Sequence, residues 1–571
     1  MEKVIDTDVL IVGGGAAGVW AAIRAYDNGL KPYLACKGLV GKSGATLFAG
    51  ILGGYRPPEG YATPQFDWFN MLVKYKTHWL GDHDYMKSLA EYTGGNFLRD
   101  IEEIGVYIRR KADGKILTNI GKSLITVAPK WGLSSMVIME YLKSEMIRRN
   151  IEFVEETYVT SLLMNNGRVV GATLLNILSG EFYVVRAKAV FMATGLANVL
   201  CKRSTGTREQ VGNGIAMAYK AGAPIQGLEQ QWFHTNDIAR PKCWQRLHLF
   251  PNQIPGTSEV GWMRNSDGEV FFTQNQFPYC VPPYFMQCRQ LIKEVYNGKA
   301  KKDRGYYQDY RHVEPEVLEE HAYQLYPLKK LGINPNREII EVGMSWHMTF
   351  GGIRVNNKME SEVKGLYALG GVTGTYCAGV NAASHDPMLI EREGVFEDVK
   401  GEELLKLNER EVDDEKNRLF NLLRVEPRDG YLPAQVKKRI REIMWEHMSY
   451  NKNEKGMVKA LEELAEVKEK YIPRMRLDSL ARGYNWDWVD AIDIEDMLIS
   501  CEIAIQESRF RKESRGPHYR EDYPFVDNRN WIVNVVAKKV SGEMKIYKEP
   551  IELKYATPDE PLKEDFLSCL W

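Results

Sequence analysis

The 571-residue chain is 44% apolar and 26% charged, which predicts a large globular core divided into roughly two to four domains. Its 75 basic and 76 acidic residues leave a net charge of -1, so no field draws in nucleic acid or an anionic membrane surface, and no apolar run approaches the length that spans a bilayer. The eight cysteines form no CxxC pair, which argues against zinc or iron–sulfur ligation within the chain; with scattered thiols and no charged-then-apolar leader in residues 1–8, the expected location is cytoplasmic.

The first predicted element is a buried parallel strand, Val9-Leu10-Ile11-Val12, followed by Gly13-x-Gly15-x-x-Gly18 and a helix opening at Ala16 and Ala17. Each glycine has a mechanical role: a tight turn, close approach of a pyrophosphate to backbone, and close contact of helix with strand. The helix N-terminus would offer free N–H groups to phosphates. The second strand, Pro32-Tyr33-Leu34-Ala35-Cys36, ends at Lys37, where an acid for a ribose hydroxyl would be expected in an NAD site. The loop behind it carries Ser43, Gly44, Ala45, Thr46 and Gly50, small and hydroxyl residues that let backbone lie against a flat or phosphate-bearing ligand.

Further along, the pattern predicts a helix over 85–104, a helix over 134–149, strands at 152–154 and 158–163, and a hairpin turning at Asn165-Asn166-Gly167-Arg168. These strands, with Val159 among them, are expected to form a small sheet inserted in the nucleotide domain. A buried strand then leads to the turn Ala193-Thr194-Gly195, and a run of small residues from Gly212 to Ala223 carries Asn213. Residues 237–340 include a turn at Asn265-Ser266-Asp267-Gly268 and a helix over 287–296 that carries Arg289. The segments around His234 and His347 flank this stretch, and Gly370-Gly371 ends a later strand. From 395 to about 475, Leu419, Leu422, Leu423, Val436, Ile440, Ile443 and Met444 have the spacing of a helical bundle.

Taken in order, these segments resemble the flavoprotein subunits of fumarate reductase, succinate dehydrogenase, L-aspartate oxidase and adenylylsulfate reductase. The motifs that carry the resemblance are the glycine fingerprint, the Ala193-Thr194-Gly195 turn, Gln231-Trp232-Phe233-His234, His347-Met348-Thr349-Phe350-Gly351-Gly352-Ile353 and Ser514-Arg515-Gly516-Pro517-His518. The implied fold is α/β: a Rossmann-like FAD-binding domain (1–236 and 341–394), an inserted α+β capping domain (237–340), a C-terminal helical domain (395–500) and a tail region (501–571).

The resemblance implies FAD contacts from Gly13, Gly15, Ala16, Ala17, Gly18, Lys37, Ser43, Gly44, Ala45, Thr46, Gly50, Val159, Ala193, Thr194, Gly195, Asn213, Gly370 and Gly371. Gly44 stands where membrane-bound members have a flavin-bonded histidine, so FAD is expected to be held noncovalently. His347, His234, Arg289 and His385 are the implied catalytic groups, with Arg289 as proton donor and His347 on a substrate carboxylate. His385, in Asn381-Ala382-Ala383-Ser384-His385-Asp386, stands at or near the place of the arginine that grips a dicarboxylate, and histidine cannot replace a planar fork.

The expected activity is therefore FAD-dependent redox chemistry on a small molecule other than fumarate or succinate, with electrons exchanged with a ferredoxin-like iron–sulfur subunit. Trp232, Trp262 and Trp346 lean toward a larger or flatter substrate, as in the adenylylsulfate reductase branch. The alternatives are an electron-transfer subunit without its own organic substrate and a true fumarate reductase or succinate dehydrogenase.

Overall fold

The computed structural model of the chain describes residues 3–49, 52–53, 68–108, 110, 112–114, 118–119, 124–125, 134–242, 261–272, 284–316, 318, 326–377, 379–424, 429–558 and 564–565. The order β1 (Val4–Val12), α1 (Ala16–Asp27), β2 (Pro32–Ala35) sets the architecture. Val9, Leu10 and Ile11 are fully buried because both faces of this parallel sheet are covered by other layers. The expected helix at 85–104 is instead two helices, α2 (His83–Glu91) and α3 (Phe97–Glu103), joined by a π-helical turn at Tyr92–Asn96. Adjacent glycines at 94 and 95 are weak helix formers and permit that irregular turn. Next come α4 (Ser134–Arg148), β3 (Glu152–Val154), β4 (Thr157–Asn165), β5 (Arg168–Asn176) and β6 (Phe182–Met192).

The main sheet runs β3-β2-β1-β6-β5-β4, and the later strand Leu366–Ala368 pairs with the end of β6. The small sheet expected as a separate insertion is continuous with the nucleotide sheet. Strand β6 is long enough to pair antiparallel with β5 through Phe182–Arg186 and parallel with β1 through Val184–Met192. The hairpin between β4 and β5 turns on Asn166 and Gly167 at φ 48° and 79°, the left-handed pair that a tight two-residue turn requires.

Helix α5 (Asn213–Lys220) precedes β7 (Gln231–Ile238), which leads into the cap. The cap contains β8 (Trp262–Arg264), β9 (Val270–Phe272), α6 (Tyr284–Tyr296) and β10 (Tyr306–Asp309), and β11 (Ile340–Thr349) leads out. These five strands form one sheet in the order β7-β11-β10-β8-β9. The two connecting strands are thus paired, and Phe233 faces Trp346 and His234 faces Ser345 in register. The register shifts after Trp232 and after His234. Such bulges re-aim side chains, and here they flank the histidine.

Helix α7 (Val380–Arg392) packs on α1. In the C-terminal region α8 (Pro433–Met448), α9 (Glu454–Glu466) and α10 (Trp486–Phe510) pack together. Leu419, Val436, Ile440, Ile443 and Met444 are fully buried there, as the helical spacing required. Strands β12 (Val533–Val540) and β13 (Glu543–Pro550) form a hairpin that pairs with Ile225–Gln226.

Candidate active site

One cavity joins the segments that the sequence singles out. It encloses about 1180 Å³, including its solvent-open mouth, and is lined by Gly13–Ala17, Lys37, Ser43–Thr46, Val159, Ala193–Gly195, Asn213, Gly371 and Val380. Met348, next to His347, also lines it. Gly50 lies outside the described residues. Gly18 and Gly370 act beneath the lining: a Cβ on Gly18 would come within 1.9 Å of the Gly13 carbonyl oxygen, and one on Gly370 within 2.9 Å of Ala17.

The rim is shaped to receive a phosphate-bearing cofactor. Helix α1 opens with no side-chain cap and no acid in its first turn, so its amides and dipole face the cavity uncompensated. The Ala16 N–H reaches only a long contact to Thr46 Oγ1, 3.3 Å. Gly13 holds φ +122°, and a Cβ there would lie 2.3 Å from the Ala193 carbonyl oxygen. Along the walls, buried polar atoms of Thr194 (Oγ1), Glu209 (Oε2) and Gln210 (Nε2) have no hydrogen-bond partner among the described residues, as expected of groups that a polar ligand would satisfy. Glu209 and Gln210 belong to no sequence motif, so sequence reasoning misses them. The donors, the cradle and the orphaned atoms fit FAD.

Lys37 and Asn213 line the cavity, yet their polar ends are tied to the C-terminal domain. The Lys37 ammonium pairs with Asp493 and lies 4.1 Å from the centre of the Tyr158 ring. Asn213 Nδ2 donates to Asp493 at 2.9 Å and to the Tyr158 hydroxyl. Lys437 completes the cluster at 3.0 Å from Asp493. Burial pushes the Lys37 ammonium down against the raising pull of Asp493, and the two lysines hold the Asp493 carboxyl well below the usual carboxylate range despite its burial.

The structure brings His347 and His234 together and seats His385 and Arg289 in other surroundings. The rings of His234 and His347 are 4.0 Å apart, and His347 Nδ1 shares a 2.7 Å hydrogen bond with Thr205 Oγ1. Burial, aided by the nearby cation Lys76, pushes the His347 pKa down to about 4. His347 is therefore neutral near pH 7, with one nitrogen fixed by Thr205. An acid limb of turnover that belongs to His347 is expected near pH 4 rather than 6.5. Comparing kcat/KM against pH for the wild type and His347→Gln checks this, since only the wild type should show that limb.

His385 is enclosed by protein side chains. It is fully buried in α7 between Tyr85 and Tyr92, its Nε2 bonded to Ser88 Oγ at 2.9 Å and its Nδ1 3.3 Å from Asp386. Its neighbour is the group with a task at the cavity: Asp386 accepts from the Gly370 N–H at 2.7 Å and from the Tyr85 hydroxyl at 2.7 Å, fixing the turn at Gly370-Gly371. Helical register decides this, because one step along a helix rotates a side chain by about 100°. Arg289, on α6, lies with its guanidinium 5.2 Å from the centre of Tyr519 in the C-terminal region.

Of the three tryptophans, one borders the histidine pair. Trp346 is fully buried and donates to Thr349 Oγ1 at 3.1 Å, and Trp262 stacks on His312 within the cap. Trp232 lies 6.1 Å from His234 and 4.9 Å from Phe350, ring centre to ring centre.

Comparison with known proteins agrees with this geometry. Residues 8–385 match the FAD binding domain family, and residues 437–563 match the fumarate reductase flavoprotein C-terminal family. The chain is 28% identical to a fumarate reductase (CoM/CoB) subunit of Methanothermobacter marburgensis, over 92% of this chain and 95% of that one. It is 24% identical to a succinate dehydrogenase flavoprotein subunit of Rickettsia conorii, over 97% and 96%. Among solved structures it superposes on E. coli quinol fumarate reductase with a TM-score of 0.83 at 22% identity, covering 98% of this chain and 99% of that one. On adenylylsulfate reductase from Archaeoglobus fulgidus the TM-score is 0.78 at 21% identity, with 97% of both chains covered. Among the described residues no helix is long and apolar enough to cross a membrane.

Proposed function

We propose, from the premise that the chain belongs to the fumarate reductase flavoprotein family and is an FAD-dependent oxidoreductase, that it acts on a small molecule other than fumarate or succinate and exchanges electrons with an iron–sulfur partner. The observation that carries this reading is the continuity of one cavity from the bare N-terminus of α1 to Met348, beside the paired histidines.

FAD would be held by the α1 amides and the 43–46 loop at its phosphates, by the Ala193–Gly195 turn along its length, and by the Gly370-Gly371 turn that Asp386 fixes. Gly44 leaves the attachment noncovalent. When bound, FAD supplies two-electron chemistry at N5 of its ring. The protein's share is position, charge and proton supply. His347, neutral and oriented by Thr205, offers its ring to a substrate polar group, and His234 packs against it to hold the ring plane. Arg289, on the cap helix with its guanidinium beside Tyr519, is the proposed proton-transferring group by family resemblance. A partner chain is favoured by the names of relatives that are themselves subunits, and the family resemblance makes it an iron–sulfur protein.

The exclusion of fumarate and succinate rests on the missing fork. With His385 enclosed by Ser88, Asp386 and two tyrosines, α7 presents no bidentate cation where the family's arginine would stand. Loss of such a partner typically costs about 2–5 kcal/mol in binding a charged group. Steady-state assays of the FAD-loaded chain with reduced dye and fumarate, or oxidised dye and succinate, should give at most traces of turnover. Substantial turnover with either compound overturns this substrate assignment.

A further inference from the structure

The segment Met71–Lys76 is a π-helical turn, a local irregularity that recurs at functional positions, and it ends by delivering Lys76 to the histidine pair. The Lys76 ammonium lies 5.0 Å from the centre of the Trp232 ring and 5.1 Å from that of Phe350. Its charge acts on His347 and also on the Cys377 thiol. Phe350, Leu80 and Tyr376 are a buried apolar cluster, with Trp232 and Met348 packed on it. Lys76 is thus a partly buried cation with an aromatic face on two sides, beside the cavity wall at Met348. Among the described residues it has no carboxylate partner.

Burying an ammonium without an anion is costly, and two aromatic faces offset only part of that cost. By contrast the cluster of Lys37 and Lys437 is closed by Asp493, and Lys220 is closed by Asp496. A cation kept next to the reacting groups without a counter-ion among the described residues is matched by an anion that arrives with the ligand. Lysine is a point charge, which suits one acidic group and does not demand the planar geometry of an arginine fork. The aromatic faces beside it are Trp232 and Phe350, which suit contact with an apolar, flat body.

We propose that Lys76 is the group that receives the substrate's acid, and that the substrate is a monoanion whose one carboxylate seats on Lys76 while a flat apolar body lies against Trp232 and Phe350. This rests on the preceding reading of the cavity as the FAD and substrate site. It replaces the two-point grip on a dicarboxylate with a one-point grip from the 71–76 turn instead of α7.

The test uses the FAD-loaded chain, titrated with cinnamate, cinnamamide and fumarate, and read by perturbation of the flavin visible spectrum. Cinnamate should perturb the spectrum, while cinnamamide, of the same shape without the charge, and fumarate should bind at least about 10-fold more weakly. Lys76→Met, at unchanged flavin content, should weaken cinnamate about 10- to 100-fold, and Lys76→Arg should stay within a few-fold of wild type. The proposal is overturned if Lys76→Met binds cinnamate as the wild type does, if the amide binds as well as the acid, or if cinnamate leaves the wild-type spectrum unchanged. A Lys76→Met chain whose flavin potential shifts with no loss of cinnamate binding would also overturn it, by assigning the lysine to the cofactor. Failure of the chain to take up FAD at all would strike the preceding reading instead, before any titration begins.

Discussion

Replacing Gly18 with valine should yield a chain that retains less than about a tenth of the wild-type flavin. The Cβ of any side chain at this position would fall 1.9 Å from the Gly13 carbonyl oxygen, with the Ala193 side chain at 3.4 Å on the other side. Neither neighbour is a flexible side-chain end, so α1 itself must move away from β1. That movement withdraws the uncapped amides of Ala16 and Ala17 from the phosphate position, and overpacking of this kind costs about 1–3 kcal/mol in the apo fold as well. Flavin absorbance per mole of purified protein measures the first effect and thermal unfolding the second. A Gly18→Val chain that is as yellow as the wild type would show that helix–strand contact does not set the cofactor seat.

The second large effect is expected at Arg511, in the tail region. Its side chain is fully buried, bonded to Glu229 Oε1 at 2.9 Å, to Glu513 Oε1 at 3.0 Å and to the carbonyl oxygens of Trp531 and Val533 at 3.0 and 2.7 Å. Replacement by methionine keeps much of the volume but leaves buried Glu229 without its cation, while Glu513 keeps Arg515, a loss of about 3–5 kcal/mol. For a 571-residue chain that unfolds as a unit, this lowers Tm by roughly 2–4 °C. Function suffers with stability, because Glu229 sits just before β7, the strand that carries His234, and the Leu228 N–H donates to Glu507 of α10 at 2.6 Å. Arg511 therefore ties the end of the chain to the strand of the active site. Differential scanning calorimetry at neutral pH checks the prediction, and a Tm within about 1 °C of wild type would contradict it.

The parts of this molecule that were legible in the sequence are those set by local pattern. The glycine fingerprint, β1 and α1 form as their residues dictate, since a run of Val, Leu and Ile between an acid and glycines has few other uses. The hairpin at Asn166-Gly167 and the buried positions of α8 follow in the same way from turn chemistry and helical spacing. The continuity of the hairpin with the nucleotide sheet was not legible, because it depends on β6 being long enough to pair with two different strands.

At the site, the legible residues were those in motifs, and the others were placed by partners far away in sequence. His347 and His234 meet because β7 and β11 pair in a particular register, more than a hundred residues apart in the chain. Lys37 lines the cavity as its place after β2 suggests, but its ion pair was not legible, because Asp493 is 456 residues away. His385 aligned with a functional arginine, yet helical register turned it into the layer between α7 and α2 and left Asp386 to hold the flavin turn. Lys76 carries no motif, and nothing in its neighbourhood of sequence signals that it ends a π-helical turn under Trp232 and Phe350.

The measurement that bears most directly on the whole account is the absorption spectrum of the purified chain before and after denaturation and filtration. The account predicts an oxidised-flavin spectrum in the native chain, restored by FAD after stripping, with all colour passing through the filter as free FAD once the chain is unfolded. A preparation that is colourless and stays colourless after incubation with FAD would contradict the cavity's assignment, and colour retained on the unfolded chain would contradict the noncovalent seat at Gly44.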